Sequence, residues 1–510
     1  MALCLCLWPA YRPPTSRWKL LPMLRLLLCL HLPRLPLEAL RPSWSDRGQY
    51  SVVDAERIVA CSDDAADAGV TLGMRAGGVA AVAPDTVLLP RDRDREASTL
   101  DALATAMMQF SPEVALFEDA TVVLEVGPSL RLFGGPAALC RRVRASCRAL
   151  GLTVQLGAAP TVVGAWLLAR RSPRRRGPVR RVLTLRRLAQ LLDLLPCSLL
   201  PTAVRHHEWL DGIGARDLGG LRRLPRAGLK RRTHTALVDE LDRAYGDAPV
   251  NLRWIVPPAR FSAQVETFER VEHADELLHG ATGLILQLVG WLQAVQLAVS
   301  SVTLSLLHER GRAAVAPSEI VVSLAEPVWR EDHLLRLLRE RLAKSELSAP
   351  VIGLRLTADK LERQSPLSDC LFPEPGGSTA DFQRLLELLT ARLGANNVMI
   401  SSFEATHIPE TANRWIPASK PMRAEEPDPT LTRPFWLLPK AIPLLVRQER
   451  PFYGSPLKIL SRAERIEAAW WGEDGAARDY YVAQGDDASC YWIYLERSAD
   501  ARWYLHGLFA

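Results

Sequence analysis

A chain of 510 residues is too long for one ordinary hydrophobic core and predicts about three to five units, while 48% hydrophobic and 24% charged residues exclude a largely disordered protein. The net charge of +6, from 63 Lys and Arg against 57 acids, excludes a uniformly basic nucleic-acid binder, so any grip on phosphate must come from local patches. Nine Cys are scattered, Cys4 and Cys6 being the only close couple, which excludes a disulfide framework or a zinc site and fits a reducing cytoplasm.

Residues 1–22 hold two Trp and four Pro without a regular pattern and read as an N-terminal extension; translation starts either at Met1 or, if that is an upstream start codon, at Met23. Leu20 to Leu32 is apolar, but it is short for a membrane span and contains Arg25. A central strand covered on both faces explains it better, and no membrane contact is expected. From Leu37 to Asp94 the chain reads as Ala-rich helix broken by Gly turns. Ala97 to Gln109 has helical spacing, a strand follows Asp119, Pro136 to Leu150 is a basic amphipathic helix, and strand Leu152 to Gly157 precedes helix Val162 to Arg170. With the first strand that order is βαββαβ.

Arg170 to Arg181 places seven Arg in twelve residues, broken by Pro173, Gly177 and Pro178, so it cannot be a continuous helix. Arg170, Arg171, Arg174, Arg175, Arg176, Arg180 and Arg181 are either a phosphate-gripping strip or the charge of a solvated linker. Arg186 to Tyr245 is helical, and Gly212 and Gly214 lie in a Gly-rich turn of the kind that offers backbone N–H groups to a phosphate, although Gly-x-Gly is also a common helix stop. The basic run Leu224 to Arg232 follows. Ala259 to Leu361 repeats the βαββαβ order: strand Phe261 to Phe268, helix Ala274 to Ala294, strands Val302 to His308 and Ile320 to Leu324, helix Glu331 to Lys344 and strand Val351 to Thr357. Gln364 to Gly377 is a Pro-rich linker with one apolar pair, Leu371-Phe372. The tail from about Ala380 has a helix, Phe382 to Leu393, and a β-rich end whose Tyr and Trp, including Trp470-Trp471, fit the core of a small sheet or a protein interface better than base stacking.

Several of these pieces together resemble Y-family DNA polymerases. Asp119 to Gly135, DATVVLEVGPSLRLFGG, follows the frame of the family's Ser-Ile-Asp-Glu-Ala-Phe-Leu-Asp strand, with Leu124-Glu125 at its close and Leu132-Phe133-Gly134 at the landmark beyond it. That frame puts Ala120 and Thr121 where the family has its metal-binding Asp-Glu pair. His31 stands at or near the first Asp of the opening strand, and Thr161 and Val162 replace the Asn-Lys beside the incoming triphosphate. A methyl, a lone hydroxyl and an imidazole are poor magnesium ligands.

Retained frame with lost acids is similar to the ImuB proteins, polymerase-like subunits of a bacterial mutagenesis cassette. Their likeness runs through Leu30 to Pro33, Leu37 to Leu40, Gly69-Val70, Gly73-Met74, Leu132 to Gly135, Arg433 to Pro439 and Trp503 to Ala510. The resemblance implies an α+β multidomain right hand: palm at 23–36 and 97–185 with a ferredoxin-like βαββαβ fold, small fingers at 37–96, helical thumb at 186–258, and a βαββαβ little finger at 259–362. A linker at 363–380 would carry a clamp-binding motif, Leu371 and Phe372, unless Phe372 anchors the linker locally. Residues 381–510 would meet partners. It further implies no catalysis and no cofactor, with primer-template DNA, the sliding clamp, an error-prone C-family DNA polymerase and the RecA-like ImuA as partners, in the cytoplasm at the nucleoid. Two alternatives remain: an active polymerase with displaced ligands, for which Glu118, Asp119 and Glu125 are the nearby acids, and a plain DNA-binding or clamp-adaptor protein.

Overall fold

The computed structural model describes residues 25–45, 48–118, 120–171, 181–309, 315–345, 347, 349–364, 379–403, 406–418, 433–468, 476–497 and 500–509. They form two compact units, Met1–Pro375 and Gly376–Ala510.

The first unit begins with β1 (Leu27–His31) and an inserted sheet of β2 (Tyr50–Asp54), β3 (Arg57–Cys61) and β4 (Val87–Pro90). It continues through α1 (Arg93–Met107), β5 (Val114–Phe117), β6 (Thr121–Glu125), α2 (Pro136–Ala149), β7 (Gln155–Ala159) and α3 (Val162–Arg170). The four long-range strands pair antiparallel in the order β5-β6-β1-β7, the arrangement of a ferredoxin-like βαββαβ unit. β1 is central and covered on both faces, which is why its sequence is apolar without alternation. Leu28, Leu30, Val122 and Leu124 face α1 and α2, packing on Leu103, Met107, Leu139 and Val143. Leu27, Cys29 and Val123 face α3 and the helices after it. Gly134 and Gly135 adopt φ of +73° and +94°, conformations that favour glycine, and so let Pro136 open α2 directly after the loop.

The inserted sheet departs from the sequence reading of helices and Gly turns. Two short helices, Asp63–Asp67 and Ala76–Val82, are present, but a three-stranded sheet of order β3-β2-β4 supports them. β2 and β3 are joined by Ala55 and Glu56, both left-handed at φ 45° and 65°. That hairpin lacks the Asn-Gly or Asp-Gly that announces such a turn in a sequence.

A helical layer follows: α4 (Leu185–Leu192), α5 (His207–Gly212), α6 (Leu218–Arg223), α7 (Arg226–Arg232) and α8 (Thr235–Tyr245). Leu188, Leu192, Leu218, Leu237 and Leu241 share a core with Trp166 of α3. The second βαββαβ set comprises β8 (Ser262–Val271), α9 (Leu277–Val295), β9 (Leu297–His308), β10 (Ser318–Val328), α10 (Glu331–Leu342) and β11 (Val351–Arg363). Its strand order, β10-β9-β11-β8, differs from that of the first sheet. α9 is long and apolar enough to cross a membrane, yet both of its sides are used in the fold. Leu284, Leu288 and Leu292 are fully buried, and Leu286 enters the core of the first sheet.

The second unit has α11 (Thr379–Leu393), a hairpin of β12 (Met399–Phe403) and β13 (Asn413–Pro417), and a β-rich end. That end contains β14 (Trp436–Pro443), β15 (Leu445–Arg447), β16 (Arg450–Tyr453), β17 (Ser455–Pro456), β18 (Lys458–Ile459), β19 (Glu464–Ala468), β20 (Ala476–Gln484), β21 (Cys490–Glu496) and β22 (Trp503–Leu508). Its main sheet runs β14-β22-β21-β20-β18, with β19 also on β20. Tyr480 and Trp492 are buried within it, as expected of a small aromatic core; Trp470 and Trp471 lie outside the described residues.

Candidate functional site

β1 lies antiparallel to β6 with His31 opposite Thr121, and to β7 with His31 opposite Gln155. Phe117 of β5 stands opposite Thr121 on its other side. Directly opposed residues share a face of the sheet, so Phe117, Thr121, His31 and Gln155 form one row, on the face of Cys29 and Val123. His31 Nδ1 lies 3.4 Å from Thr121 Oγ1, with Thr121 buried and His31 half-buried. Phe117 meets Trp166 edge to face, ring centroids 5.7 Å apart. Ala120 precedes the strand in a left-handed conformation, φ 50°, and its carbonyl accepts from the Leu32 N–H at 3.1 Å.

The row has no carboxylate. A pair of magnesium ions needs several hard oxygen ligands, and a phenyl ring, a hydroxyl, an imidazole and a carboxamide do not fit it. Among the described residues, no group of three or more His, Cys, Asp or Glu is placed to hold a metal ion. Glu125 is on the same strand but about 13 Å from Thr121 at the usual rise per residue. Its carboxylate accepts from Arg25 Nε at 3.2 Å and from the N–H groups of Leu26 and Gly127 at 3.2 and 3.0 Å. Glu118 is exposed on the turn after β5. Burial first, and the charge of Glu118 in addition, pushes up the carboxyl of Glu240 on α8. Asp119 lies outside the described residues.

Residues 43–170 match the impB/mucB/samB family. The chain is 26% identical over 469 residues to Protein ImuB of Caulobacter vibrioides strain NA1000 / CB15N, covering 86% of this chain and 100% of that protein. The chain is similar to Protein ImuB over most of its length. Protein ImuB of strain ATCC 19089 / CIP 103742 / CB 15 matches to the same extent, 26% over 469 residues. Among solved structures, a ternary complex of Dbh is 15% identical, covers 66% of this chain and 98% of its own, and has a TM-score of 0.37. An insertion ternary complex of Dbh DNA polymerase is 14% identical, covers 66% and 100%, and has the same TM-score of 0.37.

In this ImuB-like chain, Thr161 and Val162 are occupied by the fold. Thr161 Oγ1 accepts from the Gly164 N–H at 3.2 Å, capping α3, and donates to the Ala244 carbonyl at 2.8 Å. Val162 lies in the core shared with α8. A Cβ on Gly164 would come within 2.8 Å of Leu188, so the start of α3 is closed by packed protein. Phe117 and Gln155, the outer members of the row, escaped the sequence reading. Their only signal is pairing register, which a single sequence does not contain.

Arg170 donates to the Leu199 carbonyl at 2.7 Å and lies over the Trp166 ring at 4.5 Å. Arg171 is half-buried after α3, and Arg181 is exposed and bridges to Ala158. Arg174, Arg175, Arg176 and Arg180 lie outside the described residues, as do Leu371 and Phe372. Gly212 ends α5, and Gly214 has φ +75°; both are exposed, with open space where a Cβ would stand. The next helix start already holds an anion, because Asp217 Oδ1 accepts from the Gly220 N–H at 2.6 Å. A cleft of about 530 Å³ between β4 and α1 is lined by Asp54, Arg91 and Arg93, among others. Its cations are neutralised: Arg91 pairs with Asp54 at 2.9 Å and Glu96 at 2.7 Å, and Arg93 with Asp54 at 3.0 Å.

Proposed function

We propose that this ImuB-like chain is a non-catalytic, Y-family-type scaffold for mutagenic translesion synthesis after DNA damage. It holds primer-template DNA, docks on the sliding clamp, and brings an error-prone C-family polymerase together with the RecA-like ImuA, in the cytoplasm at the nucleoid. The observation that carries this reading is the row Phe117, Thr121, His31 and Gln155, which puts no carboxylate where two metals would bridge triphosphate and primer. Burial of Val162 beneath α8 supports it, since no cation can reach a triphosphate from there. In this reading 23–36 and 97–185 act as palm, 37–96 as fingers, 186–258 as thumb and 259–362 as little finger. Residues 363–380 are the clamp-bearing linker and 381–510 the partner region.

Primer extension with purified full chain, on undamaged and lesion-bearing templates with magnesium or manganese, is expected to give no incorporation alongside measurable primer-template binding. Incorporation that vanishes in Asp119→Ala with Glu125→Ala would instead establish an enzyme with displaced acids. Replacing Leu371 and Phe372 by Ala is expected to abolish capture of the clamp and leave DNA binding intact; unchanged clamp affinity rules out that segment as the contact.

A further inference from the structure

Between Glu125 and Asp193 the chain carries fourteen Arg, no Lys and no acid in 67 residues, although acids make up 57 of its 510 residues. α2 lies within that stretch, and with α1 it covers the face of the first sheet away from the Phe117 to Gln155 row. Its buried side is Leu139, Cys140, Val143 and Cys147. At 3.6 residues per turn, Arg141, Arg144 and Arg148 fall together on the opposite side, and all three are exposed. Arg142 flanks them over the Phe133 ring at 5.5 Å, and Arg131 is exposed in the turn before the helix. Arg181, exposed beside β7, borders the same helix: burial first pushes up the Cys140 thiol, while the charges of Arg181 and Arg144 oppose it. Among the described residues none of these six Arg pairs with an acid.

A helix face that only has to stay solvated mixes its signs. α1, on the same side of the sheet, does so by alternating Arg93 and Arg95 with Asp94 and Glu96. Of the Arg on α2 only Arg148 lies in the last turn, where a cation offsets the helix dipole, so capping does not account for the others. Guanidinium groups match phosphate oxygens two at a time, which suits a surface built of Arg without Lys. A protein partner would need an apolar centre, yet the only exposed large apolar side chain in 127–150 is Leu132. A single strand would need rings on which to stack; Phe133 is half-buried and already lies under Arg142. Duplex backbone needs neither. It offers one charge per about 1.7 Å of axis, so the roughly 10 Å from Arg141 to Arg148 pass about six phosphates.

We propose that α2 forms a duplex-binding face of its own, on the side of the first sheet opposite the row, where Arg131, Arg141, Arg142, Arg144, Arg148 and Arg181 hold the phosphates of double-stranded DNA without reading its bases. This goes beyond the primer-template binding proposed above and stands whether or not that binding exists.

The test is the number of blunt duplexes of about 12 base pairs, little more than one turn of DNA, that the full chain holds at saturation in low salt. The variant replaces Arg141, Arg142, Arg144 and Arg148 by Ala; Ala favours helix and the buried side of α2 is untouched, and circular dichroism checks the fold. The variant is expected to hold one duplex fewer than wild type. The site that it loses should have a slope of log K against log salt of about −3.5 or steeper, about 0.9 per phosphate held. Two duplexes on wild type and one on the variant support the face and leave the primer-template reading intact; one and none support the face and remove that reading. Equal numbers on wild type and a folded variant overturn the face, and so does a wild type that holds none. Replacing Lys440, Arg447, Arg450 and Lys458 of the second unit by Ala controls for net charge, since these too are exposed and without an acid partner among the described residues. The same loss in that control overturns the proposal. A single strand or polyglutamate that the variant fails to hold, while its duplexes stay, assigns the face to another partner and overturns it too. Should the quadruple variant not fold, Arg141→Gln with Arg144→Gln must flatten the slope of the weakened site by about 2, and an unchanged slope overturns the proposal.

Discussion

Gly290→Leu is expected to detach the second sheet from the first and to leave both folded. Along α9, His279, Gly283, Leu286, Gly290 and Ala294 recur at helical spacing and meet the first sheet's layer. His279 stacks on Trp44 at 5.0 Å, Leu286 is fully buried in that core, and Gly290 lies so near α1 that a Cβ would overlap the Thr105 carbonyl oxygen and touch Ala106 Cα at 3.0 Å. Those neighbours are helix backbone and cannot turn aside as a side chain would. A Leu side chain must therefore push the helices apart, costing about 3 kcal/mol from overpacking and lost burial of Leu286, well beyond the gain of about 1 kcal/mol from replacing Gly within a helix. Gly283→Ala is the control, because its Cβ would be in ordinary contact, 3.4 Å from the flexible Leu150 side chain, and it should be neutral or slightly stabilising. Limited proteolysis would show it: cleavage between Gly246 and Pro258 should rise sharply in Gly290→Leu alone. Equal protection in wild type and variant would mean that the crossing does not hold the two sheets together.

Features written in local sequence were legible, and those fixed by distant pairing were not. The unbroken apolar run at β1 and the strand at Thr121 to Glu125 follow from burial on both faces, and Gly134-Gly135 from two left-handed positions. β2 and β3 stayed hidden because Ala55 and Glu56 form their turn; Gln448 and Glu449 do the same between β15 and β16, at φ 49° and 62°. Tertiary contact holds those residues in a conformation that their own chemistry disfavours. The row across the first sheet needed registers between strands far apart in the chain, so His31 and Thr121 could be placed from the family frame while Phe117 and Gln155 could not. Thr161 shows the same limit: its absent family counterpart is visible in the sequence, but its bond to Ala244 spans 83 residues. The strip from Arg170 reads as uniform charge, yet Arg170 itself serves as a brace on Leu199 and Trp166.

Arg478→Ala is expected to destabilise the second unit by about 2 kcal/mol near neutral pH, with a deficit that shrinks on mild acidification. Arg478 Nη1 donates to Glu410 Oε1 at 2.5 Å and to Tyr480 Oη at 3.1 Å; Tyr480 Oη lies 2.8 Å from His506 Nδ1, and His506 Nε2 lies 3.5 Å from Glu410. Tyr480 is stacked on Trp492 at 4.0 Å, so the polar chain runs through the aromatic core and ties Glu410 to the sheet. Burial opposes the charge on Glu410, but the Arg478 hydrogen bond leads the effects that hold its carboxyl below the usual range. Burial pushes the His506 imidazole below its ordinary value of 6.5; Arg478 adds to this, against the pull of Glu410. Both groups bind fewer protons in the folded chain than in the unfolded one, so wild-type stability is full above about pH 6.5 and falls as pH drops through the ordinary His and then the carboxylate range. Without Arg478, the imidazole loses its cationic neighbour and can protonate to pair with Glu410, which restores part of the lost stability near pH 6. Hydrogen exchange at peptides covering β20 and β22 reads the unit separately from the rest of the chain. A deficit that is constant from about pH 8 to 6 would show that Arg478 contributes packing alone and that the Glu410 and His506 charges are not coupled through it.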